Sequence, residues 1–182
     1  MKRALNRLDK VHNKLTAIVA SLDDESFARQ PAGGGWSVAQ IVQHLALVEL
    51  RVTRDLERAI SRPPQRVSFI RRFVPTSIVS LRLLRVKAPQ AVNPEVNSGP
   101  DATGAIPGKS ATIANYNRAR NDLKSLCATH GNDRFRQIVF RHPFLGEIDG
   151  VAAVSFVGHH ELRHFKQIRE VLKQLGAATS EN

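Results

Sequence analysis

The 182 residues predict an all-α protein, a four-helix bundle with one or two short additional helices. Three observations carry this. Four segments repeat apolar residues at the 3.6-residue spacing of an amphipathic helix. No segment shows the sustained alternation of a convincing sheet. Two of the four helices also begin at recognisable N-caps. The length suits one domain with a full core, assigned to residues 1–176, with a polar tail at 177–182.

Leu5, Leu8, Val11 or His12, Leu15, Ile18, Val19 and Leu22 form the stripe of a first helix over 3–22. Asp23-Asp24-Glu25, Pro31 and Gly33-Gly34-Gly35 interrupt it. The glycine run lacks the lysine and the preceding strand of a phosphate loop, so it reads as a linker. Ser37 with Gln40 three residues on is a capping box. It opens a second helix striped by Val38, Ile41, Leu45, Val48, Val52 and Leu56 and ending before Pro63-Pro64. Residues 66–87 read as helical with an interruption at Pro75. Residues 89–108, with Pro94, Pro100, Pro107 and three glycines, read as a long irregular loop. Ile113, Tyr116, Ala119, Leu123 and Leu126 mark a third major helix. Arg136–Arg141 is a short extended piece, and His142-Pro143-Phe144-Leu145-Gly146 a turn. Asp149 caps a last helix ending near Gly176.

Composition narrows the function. The single cysteine, Cys127, excludes a disulfide framework and any cysteine-rich metal site, and beside Leu123 and Leu126 it reads as a small core residue. No continuous apolar leader follows Met1-Lys2-Arg3, and no apolar run approaches the roughly 18 residues of a membrane span. A soluble, cytoplasmic protein is expected. The net charge of +11 raises the question of nucleic acid, but ten of the 27 Lys/Arg fall within 51–87, against only Asp55 and Glu57. There Arg51, Arg54, Arg58 and Arg62 form one helical face, and Arg71, Arg72, Arg82, Arg85 and Lys87 interleave with apolar residues. Such a segment packs its apolar side inward and leaves its arginines in water, so nucleic-acid binding is not expected.

The chemistry lies in the last helix. Its stripe of Val154, Val157, Ile168, Val171 and Leu175, continued through the gap, lands on His160 and His164, one turn apart on one face. A buried imidazole without partners costs roughly 1–3 kcal/mol per unsatisfied group, and a metal ion would satisfy both. His44, between Ile41 and Val48 on the second helix, also faces inward and supplies a third imidazole. His159 falls about 100° from His160 and reads as a flanking or surface residue. His12, His130 and His142 share no evident geometry with these three.

Trp36-Ser37-Val38-Ala39-Gln40-Ile41-Val42-Gln43-His44-Leu45, followed by His142-Pro143, Gly146 and His160-x-x-x-His164-x-x-Gln167, resembles the DinB-like (DinB/YfiT) family of metalloenzymes over roughly residues 3–175. The segment 62–108 carries no matching motif. The resemblance implies a four-helix bundle with one divalent metal ion held by three histidines, which fall here at His44, His160 and His164. It also implies a homodimer and a small-molecule substrate. Known relatives include transferases using low-molecular-weight thiols, thiol-dependent isomerases and hydrolase-like proteins. Three neutral ligands leave at least one position open, the catalytic pattern. Zinc, nickel or iron would suit the set, with water acidified toward a pKa of about 7 or a thiol bound as thiolate. Because the ligands must be neutral, metal affinity is expected to fall as pH drops below about 6.5.

His160-Glu161-x-x-His164 also matches the H-E-x-x-H string of zinc peptidases. Context opposes that reading: position 170 is Glu170 rather than histidine, no glutamate-bearing helix follows, and no strand is expected ahead of the helix. Glu161 and Tyr116 are the candidate catalytic groups. The alternative for Glu161 is a solvated surface carboxylate, and for Tyr116 core packing. Asn117 reads as helix surface or an orienting group, Trp36 as a plug at one end of the bundle, and Gln167 as an inter-helix hydrogen-bond partner. The expected function is metal-dependent activation of a thiol or water for transfer to, or hydrolysis of, a small electrophile, in a pocket bounded by residues 89–108. The competing class is a non-catalytic metal-binding or stress-related interaction module.

Overall fold

The computed structural model describes residues 1–65, 67, 106–142 and 146–176. Five helices and one hairpin follow in order: α1 (Lys2–Ser21), α2 (Asp24–Ala28), α3 (Val38–Ile60), α4 (Lys109–Arg136), β1 (Val139–His142), β2 (Gly146–Asp149) and α5 (Gly150–Gln174). The expected helix at 66–87, most of the loop at 89–108, the turn residues 143–145 and the tail at 177–182 lie outside the described residues.

Local chemistry sets the boundaries. The Ser37 hydroxyl accepts from the Gln40 backbone N–H at 3.2 Å, and the Gln40 side chain accepts from the Ser37 N–H at 2.8 Å, closing the capping box of α3. Asp149 accepts from the Ala152 N–H at 2.8 Å and starts α5. Asp23 does the same for Ser26 at 2.6 Å, which makes α2 a helix where a plain break was expected. α4 runs past Leu126, the end of its apolar stripe, to Arg136 and breaks at Gly131, whose φ of 70° is a conformation that favours glycine.

The hairpin departs from the all-helical expectation. β1 and β2 pair antiparallel from Val139↔Asp149 to His142↔Gly146, so a strand does precede α5. With two strands of four residues each among the described residues, alternation is too brief to register as a sheet pattern. Phe140 and Ile148, paired in register, are buried against the bundle.

Helix packing is most extensive between α3 and α4 and next between α1 and α5. Among the described residues the interior holds two apolar clusters. One gathers Leu8, Val52, Leu56, Leu123, Phe135, Ile138 and Val157 with the hairpin; the other gathers Leu15, Val19, Ile41, Leu45, Tyr116, Ile168 and Leu172. Cys127 is buried in the first, as expected, and burial lifts its thiol pKa to about 11. No helix among the described residues is long and apolar enough to cross a membrane.

Candidate metal centre

His44 projects from α3, and His160 and His164 from α5, into the same space between the helices. The Nε2 atom of His160 lies 3.4 Å from that of His44 and 3.2 Å from that of His164. One nitrogen from each ring falls within 4.8 Å of the other two. His44 and His164 are buried and His160 partly so.

Protons cannot satisfy this arrangement well. The Nδ1–H of His164 donates to Gln167 Oε1 at 2.8 Å, which leaves its Nε2 as a bare lone pair. Either a proton on His160 Nε2 must then serve two acceptors, or two lone pairs must face one another. Burial, the leading cause, pushes the pKa of His44 down to about 4, with the Arg163 guanidinium adding to it. Burial likewise takes His164 to about 3, helped by His44, and holds His160 well below its ordinary value, with His164 and His44 next. Three neutral imidazoles with inward lone pairs form a donor set for a divalent cation. Nitrogens roughly 2.0–2.1 Å from a tetrahedral ion lie about 3.3 Å apart, which the separations of 3.2 and 3.4 Å bracket.

Aromatic rings wall the cluster. The Trp36 ring centroid is 5.0 Å from that of His44 and 6.2 Å from that of His164, the latter pair stacked. Trp36 thus flanks the histidines. Phe156 lies 6.0 Å from His160 and 4.1 Å from His142, which is the last residue of β1 and not in the turn, and close enough to His160 to add to the lowering of its pKa. Two depressions, of about 260 and 760 Å³, lie between α1 and α5 and between α3 and the hairpin, and neither is lined by the three histidines. The expected boundary at 89–108 falls largely outside the described residues.

Glu161 is not a solvated surface group. It is 1% exposed and accepts hydrogen bonds from the Tyr116 hydroxyl and, at 2.5 Å, from Arg120 Nη2. Arg120 also donates from Nε and Nη2 to Glu49 at 2.7 and 3.1 Å. Desolvation opposes the charge on Arg120, but the Glu49 bonds and Glu161 outweigh it and its pKa is raised. Burial instead raises Glu49, despite Arg120. Burial, with Glu161 beside it, holds the Tyr116 hydroxyl well above its ordinary value. His12 lies over the Tyr116 ring at 4.3 Å, with Nε2 2.9 Å from Asn117 Oδ1, so Asn117 reaches inward and not only to solvent. Glu49 and Arg120 escaped the sequence reading, although each sits on the inward stripe of its helix, Glu49 between Leu45 and Val52 and Arg120 between Tyr116 and Leu123. Gln167 bonds within its own helix, not between helices. His159 turns to α1, where it accepts from Arg7 Nη1 at 2.7 Å in an exposed bond.

Residues 7–168 match the model of the DinB superfamily. The chain belongs to that superfamily. It is 24% identical over 157 residues to the uncharacterized protein YuaE of Bacillus subtilis (strain 168), covering 86% of this chain and 90% of that one. Its fold is similar to that of YfiT from Bacillus subtilis, described as a probable metal-dependent hydrolase with an unusual four-helix bundle topology. The TM-score there is 0.62 at 18% identity, covering 97% of this chain and 88% of YfiT. TT2238, a four-helix bundle protein, gives a TM-score of 0.61 at 21% identity, covering 93% and 98%. At these identities the solved structures speak to fold alone, and they bear out the four-helix bundle.

Proposed function

We propose that this chain is a metal-dependent enzyme in which His44, His160 and His164 hold one divalent first-row ion, with zinc, nickel and iron all compatible with the donors. The observation that carries this reading is the convergence of three neutral imidazole nitrogens at 3.2 and 3.4 Å. The hydrolase description of YfiT supports it. A divalent ion bound there supplies Lewis acidity, lowering the pKa of a water or thiol that shares it. Three protein ligands leave room for such a partner, whereas a structural zinc site is closed by four.

The chain's own residues do the rest. Gln167 fixes the tautomer of His164 so that the lone pair faces inward. Trp36 and Phe156 form apolar walls that exclude water around the reacting group, which strengthens electrostatic interactions there. The reaction is transfer of a low-molecular-weight thiol to, or hydrolysis of, a small electrophilic substrate, in a homodimer. Glu161 is engaged by both Arg120 and Tyr116, and the Tyr116 hydroxyl by Glu161, which makes them poor proton carriers for that chemistry.

The test is elemental analysis of untagged protein purified without chelators, beside a His160→Ala, His164→Ala variant. Near-stoichiometric metal in the wild type alone is expected, followed by activity in thiol-transfer or hydrolysis screens that chelation abolishes. No metal after reconstitution with zinc, nickel, iron and manganese would overturn the reading and favour the non-catalytic interaction module.

A further inference from the structure

The histidines meet across a seam. His44 belongs to the closely packed pair α3–α4, and His160 and His164 to the pair α1–α5. Apolar side chains fix helix rotation well but register along the axis poorly, because hydrophobic attraction has no direction. A slip of one residue moves a helix by about 1.5 Å. A metal-ligand constellation tolerates about 0.5 Å.

Among the described residues, exposed or half-buried bonds cross the seam at several heights, with Lys124 on α4 meeting Asp9 on α1 at 3.0 Å and Lys109 on α4 reaching the Ala20 and Leu22 carbonyls, but fully buried ones cross only between the two apolar clusters. At that level Arg120 on α4 holds Glu49 on α3 with two bonds and Glu161 on α5 with a third. Tyr116 on α4 adds its hydroxyl to Glu161, and Asn117 on α4 meets His12 on α1. Arg120, Glu49 and Glu161 are 2%, 1% and 1% exposed, so water scarcely competes for these bonds. Glu49 lies five residues from His44 on one helix, and Glu161 adjoins His160 on the other. The guanidinium therefore ties together the two helices that carry the histidines, close to where they carry them. Buried ionic layers are seldom the most stabilising solution, and setting register is their best-attested use.

We propose that Arg120 is a positioning residue for the histidine cluster: its clamp on Glu49 and Glu161 sets the height of α3 against α5, so that His44 meets His160 and His164. The geometric part stands on the bonds themselves; the consequence for metal rests on the proposed metal site.

The test replaces the layer as a unit, Glu49→Leu, Arg120→Met, Glu161→Leu, beside Arg120→Lys, which keeps the charge but loses the planar fork that reaches both carboxylates. Each is titrated with cobalt(II) and crystallised. The triple variant is expected to fold and melt at or above the wild-type temperature, as apolar replacements of buried ion triads do. Its cobalt affinity is expected to fall about 10–100-fold, with an altered cobalt spectrum and the Nε2 separations lost. Arg120→Lys should weaken cobalt binding and shift His44 in the same direction. Wild-type affinity, spectrum and Nε2 spacing in either folded variant overturn the proposal. Should the triple variant not fold, Arg120→Lys decides alone. Failure of the wild type to bind cobalt would defeat the metal site, while the histidine spacing in the crystals would still decide the clamp.

Discussion

Nδ1 of His164 and Oε1 of Gln167, three residues apart on α5, are 2.8 Å from one another. That bond removes one of the two tautomers of a ring whose other nitrogen must stay bare to bind a cation. Replacing Gln167 by Leu keeps the volume and removes the acceptor. Metal affinity is expected to drop about 10–100-fold, as for other groups that orient ligating imidazoles. Thermal stability should change little, since Gln167 is only partly buried. Competition against a chromophoric chelator measures this, and equal affinity in the two proteins would remove Gln167 from the site.

The helices that carry the histidines were legible because each obeys a local rule. The capping box at Ser37 and Gln40 and the cap at Asp149 fix where α3 and α5 start, and the 3.6-residue stripe fixes which way His44, His160 and His164 face. Glu161 was misread for a reason the same rule contains. A glutamate beside two core histidines is by default solvated, and only a charged partner from another helix reverses that. The partner, Arg120, is 41 residues away in sequence, and nothing local to either residue announces the pairing. Charged residues on an inward stripe, as at Glu49 and Arg120, are the signal that was available. The hairpin escaped because its pairing depends on packing against the bundle, which four-residue strands do not encode alone.

Acidification should act on stability before it acts on metal binding. Ordinary histidines would place both effects near pH 6.5. Burial lowers His44 to about 4 and His164 to about 3 in the fold, while in the unfolded chain they regain ordinary values. Between about 6.5 and 4 the unfolded state therefore binds more protons, and the metal-free protein loses stability as pH falls through that window. The folded site stays neutral there, so metal affinity should hold from pH 8 to about 5 and decline only as pH approaches 4. Urea unfolding of metal-free protein and chelator competition, each run across pH, separate the two. A metal affinity that already falls between pH 7 and 6 would contradict the depressed values.

Two glycines of α5 should respond oppositely to alanine. A Cβ at Gly150 would stand 2.9 Å from the Phe135 backbone oxygen and 2.7 Å from Ile138 Cδ1, at the base of the hairpin, where backbone cannot easily yield. Gly150→Ala is expected to cost about 1–3 kcal/mol, the range for overpacking. A Cβ at Gly158 would meet Leu8 Cγ at 3.5 Å, an ordinary contact. There the helix preference for alanine, up to about 1 kcal/mol, should appear as neutral or increased stability. Chemical denaturation of the two variants checks the pair, and equal effects would discount the close approach at Gly150.

Trp36 is the only tryptophan in the chain, and its ring lies 5.0 Å from His44 and 6.2 Å from His164. Intrinsic fluorescence therefore reports on the histidine cluster without a label. Nickel or cobalt held by the three imidazoles would sit within van der Waals range of the rings that flank the indole, and both ions have open d shells that quench. Emission is expected to fall saturably as nickel is added, with a stoichiometry of one per chain, and to recover on chelation. His44→Ala and His164→Ala should each abolish the saturable phase while leaving the far-ultraviolet helical signal intact. Quenching that persists in both variants would place the ion elsewhere.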